Sequence, residues 1–228
     1  MPVTWEIGQL DDGLRVVTTP VPTSESVSVN VFVGAGSRGE TARTNGVAHF
    51  LEHMVFKRTK TRNAYQIAKS LESLGGDLNA YTTREYTNYH CLVLREDWKM
   101  GLEILSDLVC NMKLLKKDFD LEKKVILQEI AMSDDTPEDI IFDYFFEGVY
   151  KNHPLGRQIL GKSETIEKMT QKKLFEFYKH FYQGENLVIS AAGPVDHDQF
   201  VIQCQKLFRS RRKYKSENTR RMPRWKVH

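Results

Sequence analysis

Residues 45–59 read NGVAHFLEHMVFKRT, and within them His49, Glu52 and His53 stand three and four positions apart among apolar neighbours. If this stretch is a helix, the three side chains fall within an arc of about 100° on one face. Two neutral imidazoles placed this way suit a single zinc ion, and a hydrolytic centre then needs a third protein ligand and one open position for water. Glu52 is placed to take that water's proton. The plainer reading is that these are the polar residues of a half-buried amphipathic helix. A His-x-x-Glu-His pattern on an apolar helix nonetheless favours the metal reading, and it demands a further ligand elsewhere in the chain.

Working outward, GLRVVTTPV (13–21) and SVSVNVFVGAG (26–36) are rich in β-branched residues and partly alternating, with TPVPTSE between them as a turn. They are expected to form an antiparallel pair. Asn45 is expected to cap a helix running to Phe56. A second helix, NAYQIAKSLESL, places Tyr65, Ile67, Ala68 and Leu71 on one stripe and stops at Gly75-Gly76. Two strands follow at 77–83 and 86–94, broken near Arg84-Glu85. Helices are expected over DWKMGLEILSDLVC, KKDFDLEKKVILQEIAMSDD and TPEDIIFDYFFEGVY, the last with Pro137 in its first turn. HPLGRQILG reads as a loop, QKKLFEFYKHFY as a helix, NLVISAAG as a buried strand and DHDQFVIQCQKLF as a closing helix. Hairpins and helices mix without strict β-α-β alternation, so the fold class is α+β.

The third ligand is best sought in LEKKVILQEIAM. Glu122 and Glu129 are seven apart there, hence on nearly the same face and about 10 Å apart along the axis. One could ligate while the other braces a ligating histidine. Val125 and Ile126 lie between them on a side expected to face the core. A solvated face suits Glu122, beside Lys123 and Lys124, better than it suits Glu129, between Leu127 and Ile130. His90, in a strand, is a poorer candidate. GAGSRG (34–39) matches a dinucleotide fingerprint, but the helix starts too late and the preceding strand alternates polar with apolar, so a turn explains it better. GGDLNAYTTREYTNY, low in charge and rich in Thr and Tyr, suits either an interior hairpin or an exposed edge to which an extended peptide can add.

Composition sets the outer limits. There are 33 Lys and Arg against 30 Asp and Glu in 228 residues, a net charge of +3, which offers no global attraction to nucleic acid or an anionic membrane. Cys91, Cys110 and Cys204 are odd in number and set in apolar contexts, as expected of buried thiols in a reducing compartment. Neither a signal peptide nor a transmembrane run is seen, so a cytoplasmic protein is expected. From Arg209 onward nine Lys or Arg residues crowd RSRRKYKSENTRRMPRWKV, expected to be a solvated basic segment.

Taken in order and spacing, DDGLRVV, VGAGSRGE, GVAHFLEHMVFKRT, LESLGGDLNAYTTREYTNY, EKKVILQEIAMSDDTPED, HPLGRQILG and NLVISAAG resemble the pitrilysin family of zinc metallopeptidases, nearer its processing-peptidase branch than its insulysin branch. The resemblance implies a mixed or antiparallel sheet packed with several helices, like the metal-bearing half of a mitochondrial processing peptidase. It implies one Zn2+ per chain held by His49, His53 and Glu129, with Glu52 as catalytic base and Glu122 as a carboxylate supporting the site. It further implies that Asn79, Ala80 and Tyr81 pair with the backbone of a peptide substrate. Family members usually carry a second, metal-free half that closes over the substrate. Residues 1–208 are accordingly expected to be the N-terminal metallopeptidase domain and 209–228 a linker or the start of that second half, supplied otherwise by a partner subunit or another copy. The alternative reading is a non-catalytic core or partner subunit of such an assembly.

Overall fold

The computed structural model describes residues 4–72 and 75–208. In chain order its elements are β1 (Glu6–Gln9), β2 (Arg15–Pro20), β3 (Ser26–Val33), α1 (Val47–Val55), α2 (Ala64–Glu72), β4 (Asp77–Thr82), β5 (Thr87–Leu94), α3 (Trp98–Asn111), α4 (Lys116–Asp134), α5 (Pro137–Val149), α6 (Ser163–Glu167), α7 (Gln171–Phe181), β6 (Leu187–Gly193) and α8 (His197–Leu207). The six strands form one mixed sheet in the order β1-β2-β6-β3-β5-β4. The α+β class is therefore the observed one. The basic segment from Arg209 lies outside the described residues, as does residue 74 at the expected end of the second helix.

Strand alternation decides which face is buried. In β3, Val27, Val29, Val31 and Val33 are fully buried while the residues between them are half-exposed. The contacts of α1, α3 and α8 fall on the valine face: Thr82 meets Glu52 of α1, Gly101 of α3 lies against Cys91 and Val93, and Thr18 bonds His197 of α8. The core lies between that face and the helices.

The expected pairing of β2 with β3 is not what forms. β6 lies between them, parallel to β2 (Val16 opposite Ile189) and antiparallel to β3 (Val31 opposite Ile189). Residues 21–25 therefore cross the end of β6 instead of making a tight hairpin. Gly193 ends β6 beneath the start of β3, with φ +146°, where a Cβ would come within 2.6 Å of the Ser26 carbonyl oxygen. The hairpin of β4 and β5 forms as expected, with β4 at the sheet edge.

Two helical details also differ. Of the stripe expected on α2, Ile67 is buried, whereas Tyr65 and Ala68 are exposed; the side chain of Leu71 lies outside the described residues. Helix α5 starts at Pro137 as expected but buries none of its residues, and Ile141, Phe142, Tyr144 and Phe145 are each more than half exposed. Cys91 and Cys204 are buried, while Cys110 is half-buried. No helix of the described residues is long and apolar enough to cross a membrane.

The loop leaving α1 is tied to α3 through Asp107. Its Oδ2 accepts from the hydroxyls of Thr59 and Thr61, both at 2.7 Å, and from Arg62 at 2.8 Å, while Oδ1 accepts from Asn111 at 2.9 Å. Burial alone would raise this carboxyl's pKa, but the four donors outweigh it and hold Asp107 below its ordinary value. A depressed folded-state pKa contributes stability above the ordinary carboxylate range, and that stability is lost as pH falls through the folded value. Asp107→Asn is accordingly expected to lower the melting temperature at pH 7, and the gap from wild type should narrow below about pH 4. Thermal melts of both chains from pH 3 to 7 check this; a gap constant with pH would contradict it.

Candidate metal centre

Helix α1 is buried on almost every side. Val47, Ala48, Phe50, Leu51, Met54 and Val55 are all buried, which leaves His49, Glu52 and His53 as a half-buried polar face. Asn45 does not cap the helix as expected. The N-cap is Gly46, with φ +91°, and the capping acceptor is Glu40, whose Oε2 takes the Gly46 N–H and whose Oε1 takes the Ala48 N–H, each at 2.9 Å. Asn45 is drawn instead into the same buried cluster, its Nδ2 donating to Glu40 and to the Gln158 carbonyl. Burial pushes the Glu40 carboxyl up to about 8 against the opposing pull of these donors and of Arg157.

Helix α4 packs against α1 with Phe119 stacked on Phe50, ring centroids 4.9 Å apart. Phe119, Glu122, Ile126 and Ile130 form its buried stripe. Val125 is exposed, contrary to expectation, since it sits 100° from Ile126 and off the stripe. Nor does Glu122 take the solvated face that its flanking lysines suited. Glu122 is the more buried of the two glutamates because it shares the stripe with Ile126, while Glu129 stays 37% exposed at the stripe's margin.

The docking brings the predicted ligands together. His49 Nε2 and His53 Nε2 are 3.2 Å apart, and Glu129 Oε2 lies 3.9 Å and 3.5 Å from them. These atoms all lie within 4.8 Å of one another. Ligands about 2.0–2.1 Å from a tetrahedral zinc are about 3.3 Å apart, so the spacing fits such an ion, and the donor set of two imidazoles and one carboxylate suits it. His53 Nδ1 is 2.8 Å from Glu122 Oε1, and Glu122 Oε2 pairs with Lys57 Nζ at 2.7 Å. This leaves Nε2 of His53 as the nitrogen available to a metal. His49 has no such brace: among the described residues its Nδ1 is buried without a hydrogen-bond partner.

The fourth member, Glu52, is held by Thr82 of β4, whose hydroxyl donates to Oε2 at 2.5 Å. Burial raises the Glu52 carboxyl above its ordinary value, against the lowering effect of Thr82 and His53. The two histidines are driven apart. Burial and the neighbouring His53 pull His49 down to about 3, whereas for His53 the pull of burial is outweighed by the hydrogen bond it donates to Glu122 and the charges of Glu129, Glu122 and Glu52. Glu122 is itself lowered, because His53 and Lys57 outweigh its burial. Asn79, Ala80 and Tyr81 lie on β4, the strand that carries Thr82, with Asn79 and Tyr81 exposed. Thr82, Lys57 and Glu40 went unrecognised in the sequence. A capping role for Glu40 has no periodic signal, and Lys57 had only its place in the motif's flank.

Two imidazoles and a carboxylate around one point could hold a metal ion, and with a second carboxylate beside them they match the pattern that hydrolytic mononuclear centres use. The family is equally clear: residues 15–163 match the model for Insulinase (Peptidase family M16), and the chain belongs to that family. Residues 168–224 match the Peptidase M16 inactive domain. An uncharacterized zinc protease of Mycobacterium leprae is 44% identical over 89% of this chain and 45% of the relative. The beta subunit of the Saccharomyces cerevisiae mitochondrial-processing peptidase is 39% identical over 88% of this chain and 43% of that subunit. A Helicobacter pylori protease superposes with a TM-score of 0.90 at 27% identity, over 98% of this chain and 54% of that one. The chain spans about half the length of the relatives it matches.

In the metal-free chain, the His53 ring is expected to titrate above the ordinary value of about 6.5, and Glu122→Gln should lower its midpoint by removing the partner that favours the charged ring. NMR titration of the ring protons reads this directly. An unchanged midpoint would show that Glu122 does not control His53.

Proposed function

We propose that this chain is the metal-bearing half of a zinc-dependent endopeptidase that hydrolyses extended or unstructured peptides such as presequences. The observation that carries the reading is the meeting of His49, His53 and Glu129 beside a half-buried Glu52. His49, His53 and Glu129 would hold one Zn2+, which when bound supplies a Lewis acid that polarises the scissile carbonyl and acidifies the attacking water. Glu52 takes the water's proton and passes it to the leaving amine. Its raised pKa suits both halves of that transfer, since an acid-base group works best near the operating pH. Thr82 occupies Oε2 and leaves Oε1 for the proton. Glu122, neutralised in part by Lys57, holds the His53 ring in the orientation that presents Nε2.

Substrate is taken to add as a strand to the edge of β4. The Ala80 N–H donates to the side chain of its neighbour Asn79 at 2.8 Å, and a substrate carbonyl can replace that acceptor. Backbone pairing of this kind is largely independent of side chain, which suits a peptidase acting on many extended sequences. Residues 1–208 form the metallopeptidase domain in this reading, with 209–228 leading to a second half. That half, in the same chain, a partner subunit or another copy, closes the site; the relatives' doubled length supports it.

His49→Ala is expected to abolish stoichiometric zinc binding. Glu52→Gln should retain zinc yet lose at least about 100-fold in peptide cleavage, measured with the second half supplied. Zinc bound with no turnover by the wild-type assembly would favour the non-catalytic subunit instead. A wild-type chain that binds no zinc at neutral pH would overturn the reading altogether.

A further inference from the structure

The two histidines of α1 are supported unequally. His53 is braced from outside its helix by Glu122 and, behind it, Lys57. Among the described residues His49 has no such brace, since its Nδ1 is buried and unpartnered. The first turn of α1, where His49 is the third helical residue, sets the backbone from which its ring projects toward the His53 ring, 4.5 Å away between centroids.

That turn is organised in an unusual way. An N-cap is normally Ser, Thr, Asp or Asn, whose side chain satisfies the first free N–H groups. Here the N-cap is Gly46, with φ +91°, and a Cβ would approach the Leu160 carbonyl oxygen to 2.6 Å. No capping side chain fits at that position. Glu40, six residues upstream and 5% exposed, does the work from outside: its two oxygens take the N–H groups of Gly46 and Ala48 and the amide of Asn45. Ala48 directly precedes His49. Asn45 also bonds the Gln158 carbonyl, and Arg157 donates to the Glu40 carbonyl oxygen, so the cap is anchored to the loop before α6.

We infer that Glu40 is the positioning residue for His49, setting the first turn of α1 so that the otherwise unbraced imidazole presents Nε2 to the metal. The inference rests on the zinc reading above and adds to it a counterpart, acting through backbone, of what Glu122 does for His53. It also gives a reason for a glutamate in GSRGE that lies too far from the ligands to touch the ion.

The test is zinc affinity in the 228-residue chain, read by competition with a chromophoric chelator, together with the visible absorption spectrum of the Co2+-substituted protein. Glu40→Gln keeps the size of the side chain but leaves one oxygen to meet three donors. It is expected to weaken zinc binding about 10-fold or more and to change the Co2+ spectrum, at temperatures where circular dichroism shows the chain folded. Thr170→Ala removes the cap of α7, whose hydroxyl accepts the Lys173 N–H, and should leave zinc affinity and spectrum unchanged. Asn45→Ala, which withdraws one of the three donors, should shift affinity in the same direction by less, and serves if Glu40→Gln does not fold. Wild-type affinity in whichever of these two variants folds would overturn the inference. So would an equal loss in Thr170→Ala, which would show general destabilisation. Failure of the wild-type chain itself to bind zinc would instead count against the zinc reading.

Discussion

The packing of α1 on α4 is the contact on which the site depends. Phe50 stacks on Phe119, and Ile126 and Ile130 continue the buried stripe. Apolar burial of this kind is strong and non-directional, and it sets how close the two helices come. The polar consequences are directional and follow from it. Because Glu122 and Glu129 flank that stripe, docking the apolar residues delivers one carboxylate to the back of His53 and the other to the front of both histidines.

The charges gathered there do not balance by themselves. Glu52, Glu122 and Glu129 face two histidines, one of them held neutral by burial, and Lys57 contributes a single positive charge. The excess of carboxylate raises His53 against the pull of burial, while Glu52 is raised first by burial and further by Glu129. A divalent cation between the imidazoles and Glu129 would relieve that excess. The same arithmetic explains why the helix carrying the site needs firm anchoring at both ends: Glu40 at the start, and the Asp107 cluster on the loop that leaves it.

The sheet contributes the remaining part. Thr82 reaches Glu52 from the edge strand, so the polar face of α1 and the edge of the sheet are linked by one hydrogen bond. An error in the register of β4 would turn Thr82 to the opposite face and release Glu52. Tyr89 and Tyr182, hydrogen-bonded to each other at 2.6 Å in the core, and the fully buried valines of β3 help to fix that register from below.

By itself, the sequence determined what periodicity and local chemistry can encode: the helical face of His49, Glu52 and His53, the seven-residue spacing of Glu122 and Glu129, the break between β4 and β5 and the proline start of α5. These depend on neighbours within a turn or two. The tertiary structure alone decided which strand lies beside which, because alternation states the buried face and is silent on the partner; β6, arriving more than 150 residues later, separates β2 from β3. It also placed Glu122 buried behind His53 and Glu129 half-exposed in front of both histidines, an arrangement that the resemblance implied and that the local sequence, with its flanking lysines, did not. Glu40, Lys57 and Thr82 acquired their roles only when burial left donors and acceptors with a single partner in reach. Such pairings are set by the docking of whole elements, and no local pattern records them.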